Sequence, residues 1–359
     1  MTTVATMIPH SRPAIDQEDL RATAEVLRSG QIAQGPCVEQ FERGMAGFFG
    51  LQGGVAVSSG TAALELALRA LRIGAGDEVI MPSYVCAAPW LATQRVGAQA
   101  RLVDIDLDTF NIDPLAACQA VTNKTRAIIV PHLFGLPADL TALERPGVPL
   151  IEDCAQTLGA TEEARPVGTV GRLTVCSFYA TKLLCTGEGG MVLSNEGALL
   201  ERVRSLREYD GVPTLDPSSF NLKLTDLQAA LGLSQLERLS AFHERRHFLA
   251  AAYREALSSK AAVCPSVPPG RTHGYYRFVI RLPHLRTDPD SLLGLISTLE
   301  QQGIHCRKPV FRPLHRYLNQ SGFPNSDEAD RTALSIPLYP DLTDDEVRQI
   351  HQSLAKVLS

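Results

Sequence analysis

Lys182 follows the apolar run Thr174-Val175-Cys176-Ser177-Phe178-Tyr179 and precedes a glycine-rich stretch, Gly187-Glu188-Gly189-Gly190. Burial at such a place favours a neutral amine, the form that condenses with a carbonyl. The plainer alternatives are a lysine whose stem lies on the surface and a glycine run that merely turns the chain. Upstream, Val148-Pro149-Leu150-Ile151 delivers two carboxylates, Glu152 and Asp153, at the end where open α/β sheets place ligands. Strand alternation sends them to opposite faces, so one can bond locally while the other faces a cleft. A carboxylate that only caps the next helix fits the same pattern. Further upstream, Val55-Ala56-Val57 runs through Ser58-Ser59-Gly60-Thr61 into the Ala- and Leu-rich stretch 61–72. That junction offers open amides, a helix dipole and a glycine at which an anion can approach the backbone. It is neither G-x-x-x-x-G-K-[ST] nor G-x-G-x-x-G, and taken alone it is better accounted for by an ordinary helix cap.

Taken in chain order, the three segments supply a phosphate anchor, a strand-end anion and a strand-end amine. Those are the parts that hold pyridoxal phosphate: amides for the phosphate, an anion to keep the pyridine nitrogen protonated, and an amine for the aldehyde.

The surrounding elements predict how these parts are positioned. Short apolar runs at 55–57, 78–81, 101–103, 127–130 and 148–151 alternate with helical stretches, as in an α/β domain whose parallel strands are buried on both faces. The runs 174–179 and 191–193 lack a full helix between them, which predicts an antiparallel pair. A first helix starts near Asp16 and ends before Gly30, and a second spans 38–49. Residues 224–259 read as helical throughout, interrupted only by Gly232, and lead from one domain into another. The remainder reads as a smaller α+β unit with a strand at 275–282 and helices at 290–302 and 343–357. The division predicted is a large cofactor-binding α/β domain, 1–240, and a smaller C-terminal domain, 241–359.

With 359 residues, 45% hydrophobic and 20% charged, the chain can bury a core unaided. This excludes a disordered tail, a collagen-like repeat and a disulfide-stapled miniprotein. A net charge of −5 leaves no footprint for a nucleic-acid polymer or an anionic membrane. The eight cysteines contain no C-x-x-C pair, the first twenty residues lack the pattern of an export signal, and no run is long enough to span a membrane. The expectation is a cytoplasmic protein with free thiols.

Ser59-Gly60-Thr61-Ala62-Ala63-Leu64, Glu152-Asp153-Cys154-Ala155-Gln156 and Ser177-Phe178-Tyr179-Ala180-Thr181-Lys182 through Gly190 resemble the DegT/DnrJ/EryC1/StrS family, fold-type I pyridoxal-phosphate aminotransferases acting mainly on keto sugars. Ser11-Arg12-Pro13 with 29–36, Asn221 through Ala230, and Leu338-Tyr339-Pro340 with Leu342-Thr343 resemble its opening and later blocks, so nearly the whole chain is covered. The resemblance implies a mostly parallel seven-stranded sheet flanked by helices. It implies that Lys182 forms the Schiff base and shuttles the proton, that Asp153 pairs with the pyridinium nitrogen, and that Gln156 meets the ring's phenolic oxygen. Gly60, Thr61 and Ser177 would hold the phosphate, and Asn221 would reach it from the second subunit of a homodimer. Where dehydratase relatives carry histidine, this chain has Lys182.

Two positions depart from the pattern. Cys86 stands where many relatives stack an aromatic ring on the cofactor; it offers a polarizable contact, and Trp90 compensates only if 86–90 is helical and Trp90 is not a core anchor. Lys223 stands where many relatives have arginine, and lysine lacks the bidentate fork. His243 and His247, at i, i+4 beside Glu244, Arg245 and Arg246, read as a solvated helix face rather than a metal pair. The basic cluster His305, Arg307, Lys308, Arg312 and His315 reads equally as a diphosphate contact or as surface. The leading expectation is transfer of an amino group from L-glutamate to a keto carbon of a nucleotide-linked deoxysugar, for surface-polysaccharide or glycosylated-metabolite synthesis. The alternatives are amination of a cyclitol or other carbocyclic ketone, and a cofactor-binding regulatory protein without turnover.

Overall fold

The computed structural model describes residues 7–210, 215–258, 260–286 and 290–358. Residues 1–6, the start of the segment read for an export signal, and residue 259, the end of the long helical stretch, lie outside the described residues. The strands are β1 (Gly53–Val57), β2 (Glu78–Pro82), β3 (Gln99–Val103), β4 (Thr125–Pro131), β5 (Leu150–Asp153), β6 (Thr161–Glu162), β7 (Arg165–Pro166), β8 (Leu173–Ser177), β9 (Gly190–Ser194), β10 (Phe278–Arg281) and β11 (Ala333–Ile336). Seven of them form one sheet in the order β1-β9-β8-β5-β4-β2-β3. β9 runs antiparallel to both its neighbours and the other pairings are parallel, as the short connection from β8 to β9 predicts.

Side-chain alternation explains why this sheet is covered on both sides. Val55, Val57, Val79, Met81, Ala127 and Ile129 join one apolar cluster, whereas Ala56, Met191 and Leu193 join a second and Ile80, Ile128 and Val130 a third. Helix Gly60–Ala70 packs on the first side, and helix Pro36–Phe49 contributes Phe41, Met45 and Phe49 to the second. Helix Gln17–Ser29 starts on a capping box from Asp16 to Asp19 and stops at Gly30, where the sequence places both ends.

The long helical stretch is two helices, Asp226–Glu237 and Leu239–Leu257, and the break falls at Arg238 rather than at Gly232. Gly232 stays helical because it is a packing residue: a Cβ there would lie 2.8 Å from the Phe41 ring. Thr225 caps the first helix through a box with Gln228. Leu239 and Phe242, at the start of the second helix, join the sheet's cluster. Leu249, Tyr253 and Leu257, further along, join a separate cluster with Phe278, Ile280, Leu334, Ile336 and Ile350. We place the division between the larger and smaller units within this helix, close to residue 240. Ile8 also belongs to the smaller unit's cluster and bridges Ile304, so the first described residues cross to it.

Arg246 ties three segments of the smaller unit together. The sequence places it on a solvated face, but it is 4% exposed and donates to the carbonyls of Tyr275, Tyr276 and Leu338. Burial lowers its guanidinium to about 10. Three aligned carbonyls offset that cost, which a helical-face reading of charge cannot foresee. The strand expected over 275–282 narrows to β10, because Tyr275 sits at φ 46 and breaks the extended run.

Candidate active site

The C-terminal ends of β5 and β8 and the helix that follows β1 meet on the same edge of the sheet. Ile151, Glu152 and Asp153 pair with Leu173, Thr174 and Val175, so Asp153 and the end of β8 are neighbours. Gly60 opens helix Gly60–Ala70 directly against Ser177: a Cβ on Gly60 would stand 2.7 Å from the Ser177 Cβ. Ser59 spends its hydroxyl as the N-cap, accepting from the Ala62 N–H at 3.1 Å, and its carbonyl accepts from Ala63. The Gly60 and Thr61 amides precede the first helical hydrogen bond and face outward as donors. Gly60, Thr61 and Ser177 are all partly exposed at this junction. The cradle suits a phosphate, and only a residue without a side chain leaves it open.

Glu152 and Asp153 do point to opposite faces. Glu152 is fully buried and accepts from the N–H groups of Gly168 (2.7 Å), Val170 (2.8 Å) and Gly171 (2.5 Å), while His132 Nε2 stands 3.1 Å from it. His132 Nδ1 accepts from the Ala138 N–H, which leaves Nε2 as the donor to Glu152. Cys154 brings a third metal-compatible atom within 4.8 Å, but the histidine nitrogens and both carboxylate oxygens are already spent on protein hydrogen bonds. This cluster fastens the 168–171 turn beneath the site. Burial pushes the Glu152 carboxyl up, and His132 with the Gly171 and Gly168 amides more than offsets it, so the group lies below its ordinary 4.5. Its contribution to stability is therefore present above pH 4.5 and lost as pH falls through the lower folded value. Glu152→Ala strands three amide donors and is expected to cost about 3–5 kcal/mol in urea unfolding at pH 7. The difference from wild type should shrink below about pH 4.

Asp153 has a different environment. It is 7% exposed and one oxygen accepts from the Ala155 N–H at 3.0 Å; among the described residues it has no ion pair. Burial raises its carboxyl, against the pull of that amide, of Lys182 and of His132. A buried carboxylate without a cation is costly, and a protonated ring nitrogen is the partner that would relieve it. Gln156 stands three residues on, its Oε1 accepting from the Phe134 N–H at 2.9 Å, which orients its amide nitrogen as a donor. Cys86 is exposed by area, yet burial pushes its thiol up, with Lys182 pulling the other way. Its thiol thus shares the electrostatic surroundings of Lys182 and Asp153. Helix Ala88–Arg95 begins after Cys86, so Trp90 does not share a helical face with it; Trp90 packs against the sheet's cluster instead.

Lys182 sits in the loop from β8 to β9, which is folded back on itself. The Phe178, Ala180 and Thr186 N–H groups donate to Gly189, Gly187 and Phe178 carbonyls at 2.8–2.9 Å, and Phe178 is buried 4.9 Å from the Phe41 ring. The glycine run is thus the return limb of a braced loop. Lys182 is partly buried, has no ion pair among the described residues, and holds its Nζ 5.0 Å from the centroid of the Tyr276 ring.

These contacts make a coherent seat for pyridoxal phosphate: a side-chain-free amide cradle, an unpaired buried carboxylate, an amide donor and an amine converge on one recess. Sequence comparison agrees. The profile of the DegT/DnrJ/EryC1/StrS aminotransferase family matches residues 13–355. The chain belongs to this family. Its members depend on pyridoxal phosphate. A curated relative, the spore coat polysaccharide biosynthesis protein SpsC of Bacillus subtilis (strain 168), is 32% identical, with 98% of this chain and 97% of the relative covered. Among solved structures, the putative sugar aminotransferase Spr1654 of Streptococcus pneumoniae in its PMP form has a TM-score of 0.92 at 26% identity, covering 98% of this chain and 97% of that one. DesI, solved in the presence of its TDP-sugar product, has a TM-score of 0.89 at 28% identity, covering 98% and 92%. The chain is therefore a fold-type I aminotransferase in architecture.

The remaining candidate residues make other contacts. Asn221 is exposed, and its side chain meets only the Lys223 N–H, at 3.5 Å, among the described contacts. Its neighbourhood is close to the cradle, since the Ser58 N–H donates to the Leu222 carbonyl at 2.8 Å. Lys223 is engaged by Glu208 and Asp210 at 3.8 and 3.9 Å. Three residues of the basic cluster 305–315 are paired internally, while Arg307 and Arg312 have no acidic partner among the described contacts. His315 is buried between Ser83 (2.6 Å) and Asp327 (3.0 Å), Lys308 pairs with Asp330, and His305 stands 3.6 Å from Glu300. His243 is partly buried rather than solvated, and burial lowers its imidazole to about 4. The residue that sequence reading missed is Tyr276, whose only signal is an aromatic pair just ahead of a strand.

Proposed function

We propose that this aminotransferase moves an amino group from L-glutamate to a keto carbon of a nucleotide-linked deoxysugar, in surface-polysaccharide or glycosylated-metabolite biosynthesis. The observation that carries the reading is the convergence of Lys182, the unpaired Asp153 and the Gly60–Ser177 cradle at one sheet edge. Relatives named for spore coat polysaccharide synthesis, and solved with a TDP-sugar product, support the acceptor class.

The bound pyridoxal phosphate supplies an electron sink for the electrons left when the donor's α-C–H bond breaks. The protein supplies the rest. The Gly60 and Thr61 amides and the Ser177 hydroxyl bind the phosphate, and Cys86 lines the recess beside the ring. Asp153 holds the ring-nitrogen proton in place, and Gln156 donates to the phenolic oxygen. Lys182 Nζ takes the α-proton of the donor and returns it, and the same positions serve the acceptor in reverse order. The working unit is a homodimer in which Asn221 reaches the partner's phosphate cradle. The exposure of Phe220, 66%, next in chain to Asn221 supports this, since a large apolar side chain at such a place is available to be covered by a partner. We place the enzyme in the cytoplasm. All eight cysteines are unpaired, and no described helix is long and apolar enough to cross a membrane.

The test is a panel of ketones offered to the enzyme with L-glutamate: TDP-linked 3-keto- and 4-keto-6-deoxyhexoses against a carbocyclic inosose. We expect an amino product from a TDP-linked ketone at a rate on the order of 100-fold above the inosose. A faster reaction with the inosose would move the enzyme to cyclitol chemistry. No product from any member, with glutamate still consumed in the first half-reaction, would overturn the acceptor class.

A further inference from the structure

Tyr276 reaches Lys182 from the smaller unit. Its ring is buried, 5% exposed, and carries the Lys182 Nζ over its face at 5.0 Å from the centroid and the Arg277 guanidinium at 5.2 Å. Its hydroxyl lies 3.2 Å from Thr181 Oγ1, next in chain to the lysine, and accepts from Arg277 Nη2 at 3.4 Å. The backbone is anchored as well, because Arg246 donates to the Tyr276 carbonyl at 3.2 Å. No other aromatic ring among the described residues is recorded against the Lys182 amine.

We propose that Tyr276 is a positioning residue of the transamination, its ring face holding the Lys182 nitrogen in place and its hydroxyl, fixed by Thr181 and Arg277, favouring the positively charged form of that nitrogen. The proposal rests on the reading of Lys182 as the cofactor-bearing lysine. A cation over a buried aromatic face is stabilised relative to its neutral form, and a phenol partner that can give up its own proton adds to this. Burial alone would raise the Tyr276 phenol, yet Lys182, Arg277 and the Thr181 contact bring it down to about 7. The other groups facing the pair do not compete near that pH. His10, which shares a small recess with Thr181 and Arg277, is lowered to about 3 by burial and nearby cations and stays neutral. Arg246 remains charged, at about 10. Asp153 and Cys86 also interact with Lys182, and burial raises both groups.

The test titrates the visible absorbance of the cofactor-loaded enzyme against pH, with no amino donor present. Tyr276→Phe keeps the ring and removes the hydroxyl; Tyr276→Leu removes both. We expect the titration midpoint to fall by about half a pH unit in Tyr276→Phe, a threefold loss of proton affinity at the lysine nitrogen, and further in Tyr276→Leu. Thermal midpoint and cofactor content should stay at wild-type values in Tyr276→Phe, which guards against a leucine variant that fails to fold. An unmoved midpoint in Tyr276→Phe with full cofactor content would overturn the proposal. Lys182→Ala, measured alongside, separates the two readings. If the titrating band vanishes there while Tyr276→Phe is unchanged, only the role of Tyr276 fails; a band that persists in Lys182→Ala overturns both.

Discussion

Lys182→Ala is expected to reduce the first half-reaction with L-glutamate by on the order of 10⁴-fold or more. Two functions are lost together. The amine that would bond the cofactor is removed, and so is the base that carries the α-proton. The fold should survive, since Lys182 has no ion pair among the described residues and the loop is braced by its own backbone bonds and by Phe178. The measurement is the visible spectrum before and after glutamate, in wild type and variant, with cofactor content determined for both. Conversion to the pyridoxamine form in wild type alone is the expected result. Equal conversion in the variant would remove Lys182 from the chemistry. A wild type that ignores glutamate and other amino donors would favour a binding protein instead.

Asp153→Asn is the second large effect, with an expected fall in turnover of roughly 10²- to 10³-fold and little loss of cofactor. Asparagine matches the shape of aspartate and keeps an oxygen to accept from the Ala155 N–H, so the strand end should hold. It cannot supply the negative charge that keeps a ring nitrogen protonated. Burial already raises the Asp153 carboxyl, with the Ala155 amide and Lys182 pulling the other way, and a ring N–H would further favour its ionised form. Stopped-flow rates for the glutamate half-reaction, with cofactor stoichiometry as the control, measure the loss. A variant within tenfold of wild type would show that the ring nitrogen does not depend on this carboxylate.

Much of the site is local in sequence. Gly60-Thr61, Glu152-Asp153 and Ser177 through Lys182 each sit at the end of a short apolar run, and strand alternation separates Glu152 from Asp153 without any tertiary information. The antiparallel β8–β9 pair follows from the length of its connection, and the capping boxes at Asp16 and Thr225 mark where helices begin. These features depend on neighbours within a few residues, so the sequence determined them.

Tertiary structure decided what depends on distant partners. Gly232 is a helix breaker by propensity, yet it remains helical because Phe41, 191 residues earlier, occupies the space beside it. Arg246 and His315 carry the residue types of a surface, and both are buried because carbonyls or side chains from other segments meet them. Tyr276 lies 94 residues from Lys182, and no pattern of spacing links an aromatic before one strand to an amine after another. Burial and pairing are set by which chain segments pack together, a property of long-range contacts, whereas alternation, capping and strand-end placement are written into adjacent residues.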